Sequence, residues 1–175
     1  MKRIHVLLVI GTFLLGVVVG IAATAGSKVD KMMYVGQNPK DAALGLLTAA
    51  LKQAGKGSWE NIAVARVYYL MGDKAQGQAI LDRVIATKVK DTDWMRIGRI
   101  YVEAKEWDKA KDAFEKALAF DPKNEGNLNE VGAWYNLHGD RAKAEEYFDR
   151  AFSRKPDEVW HTVNAAGSYV GVKPQ

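Results

Sequence analysis

The side chains able to do chemistry are few and scattered. The 3 histidines are His5 inside an apolar run, His138 beside Gly139 and Asp140, and His161 near the C-terminus. A metal site or a proton relay needs a second ligand at short helical or turn spacing, and none of the three has one. Each reads as a surface or turn residue. Carboxylates such as Asp30 and Asp41 stand singly among lysines, so the paired acid and base of a hydrolase is missing. With no cysteine the chain has no thiol nucleophile, no thiolate for zinc, no disulfide and no attachment point for a lipoprotein lipid. Neither a nucleophile motif nor a glycine-rich phosphate loop is present. The expectation is a non-enzyme without catalytic residues, cofactor or metal.

Recognition of another macromolecule is what remains, and charge narrows it. The formal net charge is +4, but Lys2 and Arg3 supply two of the 25 basic residues, and the remainder nearly balances the 21 acidic ones. Signs alternate along the chain as on a solvated helix surface. The basic stripe that phosphate backbones require is absent, so nucleic acid is not an expected partner. Hydrophobic residues make up 48%, enough for a core, and 4 prolines with 16 dispersed glycines favour helices joined by short turns.

Met1-Lys2-Arg3 precedes an apolar run over residues 4–23, broken only by His5 and Thr12. Twenty helical residues rise about 30 Å, the thickness of a bilayer's hydrocarbon core. The segment has no polar face, and its N-terminal charges predict a cytoplasmic start with the rest of the chain exported. Ala23-Thr24-Ala25 has the small-x-small form of a signal-peptidase site, which would release a soluble periplasmic chain beginning at Gly26. The run exceeds the roughly 7–15 residues of a signal-peptide core, which favours retention as a single-pass anchor in a bacterial inner membrane.

The elements that must position any recognition surface emerge when the chain is slid along itself. Ile97, Gly98, Tyr101, Ala110, Phe114, Ala117 and Pro122 are followed, thirty-four residues later, by Val131, Gly132, Tyr135, Ala144, Phe148, Ala151 and Pro156. The three- and four-residue steps from Trp94 to Tyr101 mark one helix face, and Ala110, Phe114 and Ala117 mark a second. Lys105-Glu106-Trp107-Asp108 leaves room only for a tight turn between them. Gly98 is expected opposite Ala110, allowing close backbone approach. Proline ends the second helix. Val64, Ala65, Tyr68, Gly77, Leu81 and Val84 form a weaker copy thirty-three residues earlier, and Tyr34, Ala43, Leu47 and Ala50 a partial one before that.

With Trp94 in front, the pattern W-x-x-I-G-x-x-Y, A-x-x-x-F, P resembles the tetratricopeptide repeat, a helical hairpin of about 34 residues that stacks into an α-solenoid. The implied fold is all-α after an N-terminal transmembrane or signal helix. The implied organisation is a leader over residues 1–25, a degenerate first repeat over 26–57, a weak repeat over 58–90, strong repeats over 91–124 and 125–158, and a closing helix and tail over 159–175. In the degenerate repeat the second helix is expected at Asp41–Gln53, after a shortened first one; the closing helix is expected at Glu158–Tyr169.

What the resemblance implies about function is a concave groove lined by the first helix of each hairpin and holding a peptide or helix of another protein. The positions left free by the core motif are Trp59, Ile62, Arg66 and Tyr69; then Met95, Arg99, Val102 and Glu103; then Asn129, Ala133 and Asn136; then Trp160 and Val163. Aromatic, aliphatic, Arg and Asn side chains suit anchoring a partner and reading its amides. Arg66 and Arg99, one repeat apart, are suited to a carboxylate. Trp94, Trp107 and Trp134 are expected to pack. One class of the family grips chaperone C-termini with a set Lys and Asn pattern; Ile62, Arg66, Met95 and Arg99 replace that pattern here, so that specificity is not expected. The expected role is an interaction scaffold at the periplasmic face of the membrane. A fixed subunit of a membrane complex, or a self-assembling oligomer, is the alternative.

Overall fold

The computed structural model describes residues 28–175. Among them are eight α-helices and no strand: α1 (Pro39–Ala54), α2 (Ser58–Leu70), α3 (Lys74–Ile85), α4 (Asp91–Glu103), α5 (Trp107–Phe120), α6 (Glu125–Leu137), α7 (Arg141–Phe152) and α8 (Val159–Tyr169). A 3-10 turn at Lys31–Met33 precedes α1. The expected all-α class is observed. The expected leader helix lies outside the described residues, and no described helix is long and apolar enough to cross a membrane.

Helix starts follow side-chain chemistry. Asn38, Asp73, Asn124 and Asp140 each cap a first turn by accepting from the backbone N–H three residues on, at 3.0–3.1 Å. At α4 the bond runs the other way: the Asp93 carboxylate accepts from the Lys90 amide at 3.0 Å. The turns α2–α3, α4–α5 and α6–α7 share a single left-handed residue, at Gly72 (φ 101°), Lys105 (φ 61°) and Gly139 (φ 87°). Two of the three repeats place glycine there because it carries no Cβ penalty; the third holds a lysine in the same conformation.

The core is one continuous cluster running from Leu47 to Ala165. Its strongest pairings are within the hairpins α2–α3, α4–α5 and α6–α7. The close approach expected between Gly98 and Ala110 takes another form: the space beside Gly98 is filled by the Phe114 ring, and a Cβ there would stand 2.3 Å from its Cε1. Gly132 holds Phe148 in the same way. In α2–α3 the small residue sits on the opposite helix. Gly77 faces backbone, with Tyr69 N and Ala65 O at 2.8 and 2.9 Å from where its Cβ would be. The smaller hairpin thus brings its two main chains together, where the others insert a ring.

Candidate functional site on the first helices

Side-chain bonds tie the first helix of each hairpin to the next. From α2 to α4, Arg66 Nε and Nη2 donate to Glu103 Oε2 and Oε1 at 2.6 and 2.8 Å. From α4 to α6, Arg99 makes the same two-pronged contact with Glu130, at 2.6 and 2.5 Å. The Trp134 indole N–H also donates to Glu130, at 3.1 Å. From α6 to α8, the Asn136 amide donates to Ser168 Oγ at 2.9 Å. Planar guanidinium forks match carboxylates in both oxygens at once, which fixes the angle as well as the distance between helices. Both arginines are held charged more firmly than usual, chiefly by these hydrogen bonds.

Arg66 and Arg99 were expected to offer their charge to a partner's carboxylate. Instead the chain's own Glu103 and Glu130 occupy them, because the offset between neighbouring first helices brings an acid within reach of each. Glu103, expected as a groove contact, is one half of that brace, and Asn136 is half of another.

Between α2 and α4 a cleft of about 220 Å³ opens, and it collects several of the expected residues. Ile62, Ala63 and Ile100 form an apolar floor. Trp59 stands at one end, half-exposed, with the Arg96 guanidinium 3.6 Å above its ring. That stacking holds the indole upright in place of a flexible exposed ring. Arg66, Glu103 and Arg99 border the cleft, their charges already compensated. The aromatic post and the aliphatic floor suit an apolar side chain; of the charges that line the cleft, Arg96 alone has no carboxylate partner among the described residues, and its Nε is buried without an acceptor.

Other expected groove residues lie elsewhere. Tyr69 is 2% exposed; its hydroxyl donates to Glu106 at 2.6 Å and its ring meets Tyr101 edge-on at 5.7 Å, so it braces the α2–α4 junction from inside. Met95 is 2% exposed and belongs to the core, and Val102 and Ala133 are also buried. Their helix positions face the neighbouring helices once the hairpins stack. Asn129 is fully buried with neither Oδ1 nor Nδ2 hydrogen-bonded. Trp160 and Val163 are exposed on α8, away from the cleft. Trp94 and Trp134 are buried, and Trp107 stacks on His138 with centroids 3.9 Å apart. His161, expected on the surface, is 7% exposed.

Arg96, Ala63 and Ile100 were not anticipated. A signal existed in the spacing: Trp59 meets Arg96, Arg66 meets Glu103 and Tyr69 meets Glu106, each pair thirty-seven residues apart. That offset is one repeat of thirty-three plus one helical turn of four, the shift between crossing helices. Alignment by repeat period alone pairs equivalent positions, and equivalent positions are not the ones that touch.

Two further networks hold the second helices. Glu106 accepts from Tyr69, Lys74 and Lys109, and these hydrogen bonds, Lys109's first, lower its carboxyl to about 2. Glu115 accepts from the Tyr147 and Tyr135 hydroxyls, at 2.6 and 3.2 Å. Burial, with the Glu115 charge beside it, raises Tyr135 to about 12. Among the described residues no cluster of three potential ligands could hold a metal ion.

Residues 92–124 match the family model described as tetratricopeptide repeat. The BBSome complex member BBS4 of Bos taurus is 30% identical over 113 residues, which covers 63% of this chain and 21% of that protein. The chain therefore spans about a fifth of the length of that relative.

Proposed function

We propose that this chain, a tetratricopeptide-repeat protein, is a protein-binding scaffold whose α2–α4 cleft receives an apolar side chain from a peptide or helix of an envelope protein. A scaffold role follows from the repeats themselves; the choice of cleft rests on Trp59, held by Arg96 over the floor of Ile62, Ala63 and Ile100. The placement we propose is the periplasmic face of a bacterial inner membrane, supported by the charged start and the apolar run over residues 4–23.

A photo-cross-linker at Ala63 of the full chain, in native membranes, tests the cleft. Cross-links to a defined protein are expected, and Trp59→Ala should remove them. Unchanged cross-linking in Trp59→Ala would exclude the cleft. N-terminal sequencing of the native protein tests the anchor: a chain beginning at Gly26 would replace it with a soluble periplasmic form.

A second reading, self-association or a fixed place in a membrane complex, is favoured by α8. There Val159, Trp160 and Val163 are exposed at 61, 62 and 53%. Light scattering decides it: a stable oligomer that dissociates in Trp160→Glu supports this reading, and a monomer opposes self-association.

A further inference from the structure

The α2–α4 cleft carries a charge that its own walls do not answer. Three guanidinium groups border it, from Arg66, Arg96 and Arg99. Arg66 is forked to Glu103 and Arg99 to Glu130, which leaves Arg96. The other acids of α2 and α4 are turned elsewhere. The Glu60 carboxylate fills the space beside Gly57 at the start of α2. Asp91 accepts from the side-chain amides of Asn124 and Asn127, at 3.3 and 2.9 Å. Asp93 accepts from the Ser58 hydroxyl and the Lys90 amide, at 2.9 and 3.0 Å.

Arg96 is fixed by stacking and not by pairing. Its guanidinium lies 3.6 Å above the Trp59 ring. That contact engages the flat face of the group, whereas its N–H donors lie in the plane and remain to be matched. Nε is buried with no acceptor, so it is sealed from any ligand. The terminal nitrogens, Nη1 and Nη2, also lack an acceptor among the described residues, but the side chain is only partly buried and borders the cleft, so this end of the group is open. A carboxylate meets such an end with both oxygens, in two charge-assisted hydrogen bonds. The ring beneath already holds the guanidinium in place, which lowers the entropy lost when a ligand orders it.

The position of Arg96 says where the acid belongs. Ile100, part of the apolar floor, stands one turn further along α4, so the two side chains present points about 6 Å apart. Residues two apart in an extended peptide, or one turn apart in a helix, match that distance. A basic residue in the same place would be repelled.

We propose that the partner segment carries an acidic side chain beside its apolar one, with the apolar side chain on Ile62, Ala63 and Ile100 and the carboxylate on the Nη1–Nη2 end of Arg96. This rests on the α2–α4 cleft being the partner site, and adds the charge of what it selects.

The test titrates the isotope-labelled full chain in detergent with the tripeptides Leu-Gly-Glu, Leu-Gly-Gln and Leu-Gly-Lys, each blocked at both ends, and follows the Trp59 indole N–H and the Ala63 amide. The glutamate peptide should saturate at about fivefold lower concentration than the glutamine peptide, with the lysine peptide weakest. Arg96→Met keeps an unbranched side chain against the ring and should bring the glutamate and glutamine peptides within about twofold of each other. Arg96→Lys keeps the charge without the fork and should retain part of the preference. Equal binding of the glutamate and glutamine peptides to the parent chain overturns the acidic assignment, needs no variant, and leaves the apolar cleft standing. Saturation by none of the three overturns the cleft and the inference together. A preference that survives Arg96→Met overturns the role of Arg96. A Leu-Gly-Gln peptide with a free C-terminal carboxylate that outbinds the blocked glutamate peptide overturns the side-chain source in favour of a chain terminus.

Discussion

Replacing Arg99 and Glu130 by alanine, singly and together, measures how much the inner brace holds the hairpins in line. The Arg99 side chain is 41% exposed and the Glu130 side chain 10%, with two charge-assisted hydrogen bonds between them. Hydrogen bonds to charged groups contribute about 1.5–3 kcal/mol, and the half-open arginine moves the expectation toward the lower end, about 1.5–2 kcal/mol of coupling. The Trp134 indole loses its acceptor in both Glu130→Ala variants, so that loss cancels in the cycle. Arg66 and Glu103 have the same forked geometry at 51% and 34% exposure and provide the control. Their coupling should not exceed about 0.5 kcal/mol, because solvent screens an exposed pair. Urea unfolding of the full chain in detergent, followed by helical signal and by tryptophan fluorescence, gives each free energy; coincidence of the two signals establishes two-state behaviour. Raising salt to about 1 M should abolish the Arg66–Glu103 coupling and leave most of the other. Equal couplings, or a larger one for the exposed pair, would refute the claim that burial of Glu130 makes the α4–α6 brace the stronger.

Three other outcomes follow from the hairpins. Lys105→Gly should raise stability by about 1 kcal/mol in the same unfolding assay, since Lys105 holds the left-handed turn conformation that Gly72 and Gly139 supply in the neighbouring repeats. Gly77→Ala should destabilise by about 1–2 kcal/mol: its methyl would lie within 3 Å of main-chain atoms of Ala65 and Tyr69, and this overpacking outweighs alanine's higher helix propensity. Glu106 is held down to about 2 in the folded chain, against about 4.3 when unfolded, so its contribution is complete above that upper value and is lost as pH falls through the lower one. An acid-unfolding curve of Glu106→Gln should therefore be flatter than that of the parent between about pH 4.5 and 2.

The repeat pattern and the all-helical class of the described residues were legible in the sequence because a repeat writes its core at a fixed interval. Gly98 and Gly132, and likewise Phe114 and Phe148, stand thirty-four residues apart, and each glycine meets its phenylalanine within one hairpin. Which first-helix residues are accessible depended on the angle and offset between hairpins, and no single repeat encodes that. An offset of one repeat plus a turn set Arg96 over Trp59 and Glu103 against Arg66, a shorter one of thirty-one residues set Glu130 against Arg99, and stacking of the hairpins buried Tyr69, Met95 and Asn129. His161 shows the same division. Its sequence neighbours marked it as a surface residue, but packing of α8 against α6 buried the ring and left Nδ1 without a partner. Periodicity determined which side chains make the core of each hairpin; contact between hairpins, which sequence distance does not measure, decided which of the others remain open to a partner.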